Sequence, residues 1–154
     1  MNFLIVTGLS GAGKSMAVNA LEDIGFFCID NIPAGLLPRI LDFAQQGENQ
    51  LSRVAVVMDI RGLHSVQETN EALEALDEKK MPYDILFLDA SDAAIRRRYK
   101  ETRRVHPMTI SEGIPVSEAI TKERQILQPL RERAKYVIDT SCLLYTSDAA
   151  DDKA

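Results

Sequence analysis

One stretch constrains this chain more than any other: Gly8-Leu9-Ser10-Gly11-Ala12-Gly13-Lys14-Ser15. It fits G-x-x-x-x-G-K-[ST], a loop whose backbone N–H groups wrap phosphate. Its surroundings decide whether the match has meaning. Phe3-Leu4-Ile5-Val6-Thr7 precedes it, a short apolar run with β-branched residues that predicts a buried strand. Met16, Ala17, Ala20, Leu21 and Ile24 follow at helical spacing. The glycines therefore fall in a strand-to-helix turn, where they allow positive φ and close approach of backbone to an anion. A glycine-rich turn matching by chance is the bland alternative, and the flanking strand and helix argue against it. In the loop reading, the N–H groups and the helix N-terminus face phosphate. Lys14 reaches the β- and γ-phosphates, and the Ser15 hydroxyl holds Mg²⁺.

The rest of the chain alternates strand and helix. Gly25 stops the first helix, and Phe26–Asp30 predicts a second strand whose Cys28 is a small core residue. Asp30 and Asn31 then precede a helix opening near Pro33, either as caps or as polar groups at the ligand edge of a parallel sheet. A helical pattern over residues 36–44 closes near Gly47. Arg53–Asp59 reads as a strand buried on both faces. It ends in Asp59, the place of an acid delivered to a metal beside the phosphate loop; a cap on the Arg61-Gly62 turn is the alternative. Tyr83–Asp89 predicts a fourth strand, so Asp89 competes for the same role, but Ser91 or Asp92 starts a helix at once and Asp59 ranks above it.

That next helix holds the dense positive cluster of the domain, Arg96-Arg97-Arg98 through Arg103-Arg104. It reads as a solvated face, as a patch for RNA, or as a lid whose arginines close on a phosphate. Arg103 and Arg104 sit at the corner before His106-Pro107 and are the lid candidates, whereas Arg96 to Arg98 are expected to face solvent. His106 shows no partner in the sequence and reads as a lid contact or as a plain loop residue. Ser117 is expected to cap a further helix, which Pro129 should kink or interrupt. Tyr136–Thr140 is a fifth strand. The pattern predicts an α/β, nucleoside-kinase-like P-loop fold: a five-stranded parallel sheet with right-handed crossovers and helices on both faces.

Composition removes other classes. The 154 residues carry a formal charge of −5, so no global basic excess advertises nucleic-acid binding. Two distant cysteines lack metal spacing and a disulfide pattern, which suits a reducing cytosol. The start lacks a charged segment followed by an apolar one, so no signal peptide is expected. No apolar run approaches the ~20 residues of a membrane span. Residues 1–141 form the expected domain. Residues 142–154 have little periodicity and an acidic end, and Cys142 to Asp151 back-translate onto a common transposase sequencing adapter. They are expected to be a non-native tail, with the natural sequence differing after Ser141.

Thr7–Ser15, Ala20–Asp23, Asp30–Pro33, Tyr99–Arg104 with His106-Pro107, and Val137–Ser141 together resemble the RapZ/YvcJ family of bacterial nucleotide-binding proteins. The resemblance covers nearly all of residues 1–141. It implies ATP at Gly8–Ser15, GTP at Asp59-Ile60-Arg61-Gly62, and at most weak NTPase activity. It also implies a regulator, in one branch an RNase adapter that binds small RNA and controls amino-sugar synthesis, largely through a second domain absent from this chain. Val105 stands where the family tends to have a third arginine, which weakens a lid or RNA role at that position.

The expected function is therefore binding of ATP or GTP with Mg²⁺ and slow hydrolysis. Gly8, Leu9, Ser10, Gly11, Ala12, Gly13, Lys14 and Ser15 hold the phosphates, Ser15 and Asp59 the metal, and Arg103 or Arg104 the lid. A small-molecule kinase is the rival, with Asp30 as one acid, and a pure RNA-binding module is a weaker third. The sequence leaves the base, the RNA and any homo-oligomer unnamed.

Overall fold

The computed structural model describes residues 2–45, 53–60, 62–103 and 105–142. The strands are β1 (Asn2–Gly8), β2 (Phe27–Asp30), β3 (Arg53–Val57), β4 (Asp84–Asp89) and β5 (Tyr136–Asp139). All pair parallel in the order β2-β3-β1-β4-β5. The helices are α1 (Lys14–Asp23), α2 (Leu37–Gln45), α3 (Gly62–Glu78), α4 (Asp92–Thr102), α5 (Pro107–Glu112) and α6 (Val116–Arg133).

The continuous apolar runs form the inner strands because both of their faces are covered. Val54 to Val57 and Ile85 to Leu88 are all buried, as are Ile5 and Val6 of the central strand. The edge strand β5 differs: each of its four residues is exposed. From β1 the chain steps outward to β2, whereas β2→β3, β3→β4 and β4→β5 all step the other way. Right-handed crossovers then place α1 on one face and the remaining helices on the other. In accord with this, α2, α3 and α6 pack in a row, and α1 rests on β1, β2 and β3. The phosphate loop leaves the carboxyl end of β1, where the strand order turns, which is the ligand edge of such a sheet.

Four local expectations are corrected. Pro129 does not interrupt α6, which runs unbroken from Val116 to Arg133. Pro129 and Gln125, whose carbonyl loses its donor, are both exposed, on the solvent side where a helix tolerates a lost hydrogen bond. Ser117 is not the cap of α6; Pro115 is, and the Ser117 hydroxyl accepts from Arg96 at 3.4 Å. Asp30 and Asn31 do not cap a helix, because Pro33 caps the short 3-10 turn Ala34–Leu36 without a side-chain bond. Arg98 is buried, not solvent-facing. The stop at Gly47 and residues 143–154 lie outside the described residues.

Candidate functional site

β1 enters the loop pressed against β4. A Cβ on Gly8 would lie 2.3 Å from the Leu88 carbonyl oxygen and 2.8 Å from Leu88 N. Glycine is required here because two backbones occupy the space of a side chain. Leu9 N–H then donates to Leu88 O at 3.1 Å, and the Leu9 and Ala12 side chains enter the core. The loop ends at Gly13, which caps α1 in the left-handed region (φ 97°, ψ 33°). No side chain caps this helix end, the arrangement in which a helix N-terminus can receive an anion. The Lys14 ammonium folds back to donate to Gly8 O and Leu9 O, both at 3.2 Å.

The outer half of the loop is held from distant parts of the chain. Ser10 N–H and Ser10 Oγ donate to the two carboxylate oxygens of Glu123 at 2.9 and 2.7 Å. The buried Arg98 donates to Gly11 O at 3.0 Å, to Thr140 Oγ1 at 3.0 Å and to Thr140 O. Thr140 Oγ1 also approaches Ala12 O at 2.7 Å. The Tyr99 ring lies against Gly11, with Cε2 3.2 Å from where a Cβ would sit. α4, α6 and the end of β5 therefore shape three consecutive loop residues. Burial pushes the Glu123 carboxyl upward, but the hydrogen bonds from His106 and Ser10 outweigh it and hold the group below the usual carboxylate range.

A cavity of about 390 Å³ opens over the loop. Ser10, Gly11, Gly13, Lys14 and Ser15 form its floor. Asp30 and Asp59 stand at the β2–β3 end, and Arg98, Tyr99, Thr102, Val105, Pro107 and Thr140 line the α4–β5 end. Asp59 sits two residues beyond β3 and is exposed. Asp30 accepts from Asn31 N–H at 2.7 Å, with Asn31 left-handed at φ 60°. Asp89 takes another path: Arg124 and Arg131 reach it at 2.8 and 3.3 Å, and it lines a smaller cavity of about 250 Å³.

Of the second predicted segment, Ile60 is buried in the core, Gly62 opens α3, and Arg61 lies outside the described residues. Arg103 is the exposed left-handed C-cap of α4 (φ 56°), next to the cavity-lining Thr102, and Arg104 lies outside the described residues. Arg98, Glu123, His106 and Thr140 are the site residues that sequence reasoning missed. Two of them had a signal. Glu123 falls on the apolar face of α6 with Ala119, Ile120, Ile126 and Leu127, and Arg98 falls with Ala94 and Ile95 on α4.

Among known proteins, the chain is 49% identical over 144 residues to a nucleotide-binding protein of Agathobacter rectalis, covering 94% of this chain and 49% of that one. To a nucleotide-binding protein of Moorella thermoacetica it is 51% identical over 142 residues, covering 90% and 46%. It thus spans about half the length of the curated relatives it matches. In structure it is similar to shikimate kinase from Acinetobacter baumannii in complex with shikimate (TM-score 0.58, 16% identity, 98% and 88% covered). It is similar too to the Deinococcus radiodurans tunicamycin resistance protein (TM-score 0.57, 17% identity, 98% and 92% covered). At that identity the likeness speaks for the fold. The sequence profile of the RapZ-like N-terminal domain matches residues 1–152.

Proposed function

Because the chain belongs to the RapZ-like N-terminal domain family, whose matching relatives are named nucleotide-binding proteins, we propose that it binds ATP or GTP with Mg²⁺ and hydrolyses it slowly as a regulatory signal. One observation carries this reading: a P-loop braced from three elements beneath an open cavity of about 390 Å³. Phosphates take the Gly8–Ser15 loop at its open end, towards Gly13 and the start of α1, because the Leu9, Ser10 and Ala12 N–H groups already donate to Leu88 O, Glu123 and Leu9 O. Lys14 exchanges its two loop carbonyls for β- and γ-phosphate oxygens, a stronger charge-assisted pairing.

The donor set fits magnesium. Among the described residues no three metal-ligating acids, histidines or cysteines stand together. Mg²⁺ in phosphate sites takes one or two protein oxygens, phosphate oxygens and water, and Ser15 and Asp59 supply that minimum. Bound there, the ion would neutralise charge on the phosphates. Arg103 or Arg104 would close over the γ-phosphate by movement of the α4–α5 corner. Hydrolysis is slow in this reading because Asp59 serves the metal, while the buried acid, Glu123, is occupied by Ser10 and His106. GTP contacts at Asp59–Gly62 belong to the same proposal. So does a role with small RNA, an RNase and amino-sugar control, which we assign to the further half that the longer relatives possess.

A small-molecule kinase is the second reading, favoured by Asp30 lining the same cavity as Lys14 and Asp59. A phosphate-release and transfer assay separates the two. The regulatory reading expects turnover well below the ~10 s⁻¹ typical of enzymes and no transfer to sugars, amino sugars or hydroxy acids. Rapid transfer to any of these would overturn it. RNA affinity of residues 1–141 that survives Lys14→Ala unchanged would favour an RNA-binding module instead.

A further inference from the structure

We propose that Glu123 and His106 are positioning residues that form a relay between the P-loop and the cavity wall facing it, so that nucleotide on the loop sets the position of the Val105–Pro107 wall. The proposal rests on the nucleotide-site reading above.

The chain of contacts is continuous and buried. Ser10, Glu123 and His106 are all buried, and the His106 ring is fully enclosed. Glu123 spends both carboxylate oxygens on Ser10, and its Oε1 also lies 3.3 Å from His106 Nε2. The other ring nitrogen settles the tautomer: His106 Nδ1 accepts from Met108 N–H at 3.0 Å. A nitrogen that accepts carries no proton, so Nε2 bears it and donates to Glu123. His106 is at the same time the N-cap of α5. A single imidazole thus joins the acid that holds the loop to the start of α5.

A second route runs beside the first. The Tyr99 ring meets the His106 ring at 5.6 Å and 52°, and Tyr99 also lies against Gly11. Loop residues 10 and 11 are therefore both read by the same wall. His106 stands between Val105 and Pro107, and both of these line the cavity. Glu123 and His106 do not line it, so they act on a ligand only through the loop and the wall. Phosphate that draws the loop N–H groups inward must change the Ser10–Glu123 bonds. In a close-packed, low-dielectric interior that change is passed on to His106 instead of being absorbed by water.

The test uses the full chain, titrated with Mg·ATP and Mg·GTP, with binding read by calorimetry and the His106 imidazole read by long-range proton–nitrogen NMR. Nucleotide is expected to shift the His106 Nε2–H resonance of the wild type. Ser10→Ala keeps the backbone bond to Glu123 and loses the hydroxyl bond. It is expected to show a reduced shift. Glu123→Gln, checked by its melting curve, is expected to lose the shift while keeping a folded spectrum. A His106 resonance that stays fixed at saturating nucleotide, or a full shift persisting in both variants, overturns the relay alone. A wild type that binds neither nucleotide overturns the relay together with the reading beneath it.

Discussion

Removing Arg98 tests directly whether its guanidinium braces the phosphate loop. Arg98→Ala deletes hydrogen bonds to Gly11 O, Thr140 Oγ1 and Thr140 O. A hydrogen bond to a charged group is worth about 1.5–3 kcal/mol. The bonds share one guanidinium and do not add, so a loss of about 3–4 kcal/mol is expected, part of it from stranding two carbonyls. For a domain of this size about 2–4 °C of Tm accompanies each kcal/mol, which gives a fall of about 10 °C. Arg98→Lys keeps the charge and the stem. A point-like ammonium cannot span Gly11 and Thr140 as the planar fork does, so about half the loss remains. The control is Arg97→Ala, an exposed neighbour expected to change stability by less than about 0.5 kcal/mol. Thermal and urea unfolding followed by circular dichroism read all three. If Arg98→Ala melts within about 2 °C of Arg97→Ala, the bracing argument is wrong.

Three further outcomes are expected. Gly8→Ala forces a Cβ into the Leu88 backbone and should cost about 3 kcal/mol or more; a melting curve matching wild type would show that β1 and β4 can part without penalty. Glu123 has a depressed carboxyl in the folded state, so its contribution is present above the unfolded carboxylate value and is lost as pH falls through the lower, folded one. Glu123→Gln should accordingly be less stable at neutral pH and show a flatter acid-unfolding profile than wild type, and parallel profiles would exclude the acid as the cause. For the tail, recovery of genomic DNA past codon 141 should return a sequence other than Cys142–Ala154, and an independent clone with the same residues would make the tail native.

The fold was legible because its signals are local. The five apolar runs became five parallel strands, and the P-loop glycines took the turn their spacing demanded. What stayed hidden were contacts between elements far apart in sequence. Glu123 and Ser10 are 113 positions apart, and Thr140 and Ala12 are 128 apart, so no window along the chain holds both partners. Arg98 was hidden differently. In a run of like charges the natural reading is a solvated face, and the helical register with Ala94 and Ile95 that buries one arginine of three was overridden by composition. His106 looked idle because its partners, Glu123 and the Met108 N–H, are a distant acid and a backbone donor. Arg61 and Arg104 lie outside the described residues, and Arg103 stands exposed at the end of α4.

The most direct test of the account is the affinity of the chain for ATP and GTP, with Mg²⁺, measured by calorimetry on wild type and Lys14→Ala side by side. Lys14 donates to two loop carbonyls at 3.2 Å, so its loss should lower the melting temperature by a few degrees, and affinities are compared at a temperature where both proteins are folded. Affinity should fall about ten- to a hundredfold, the worth of one strong charged contact to phosphate. Equal affinity in the two proteins would place the nucleotide somewhere other than the P-loop and contradict the account.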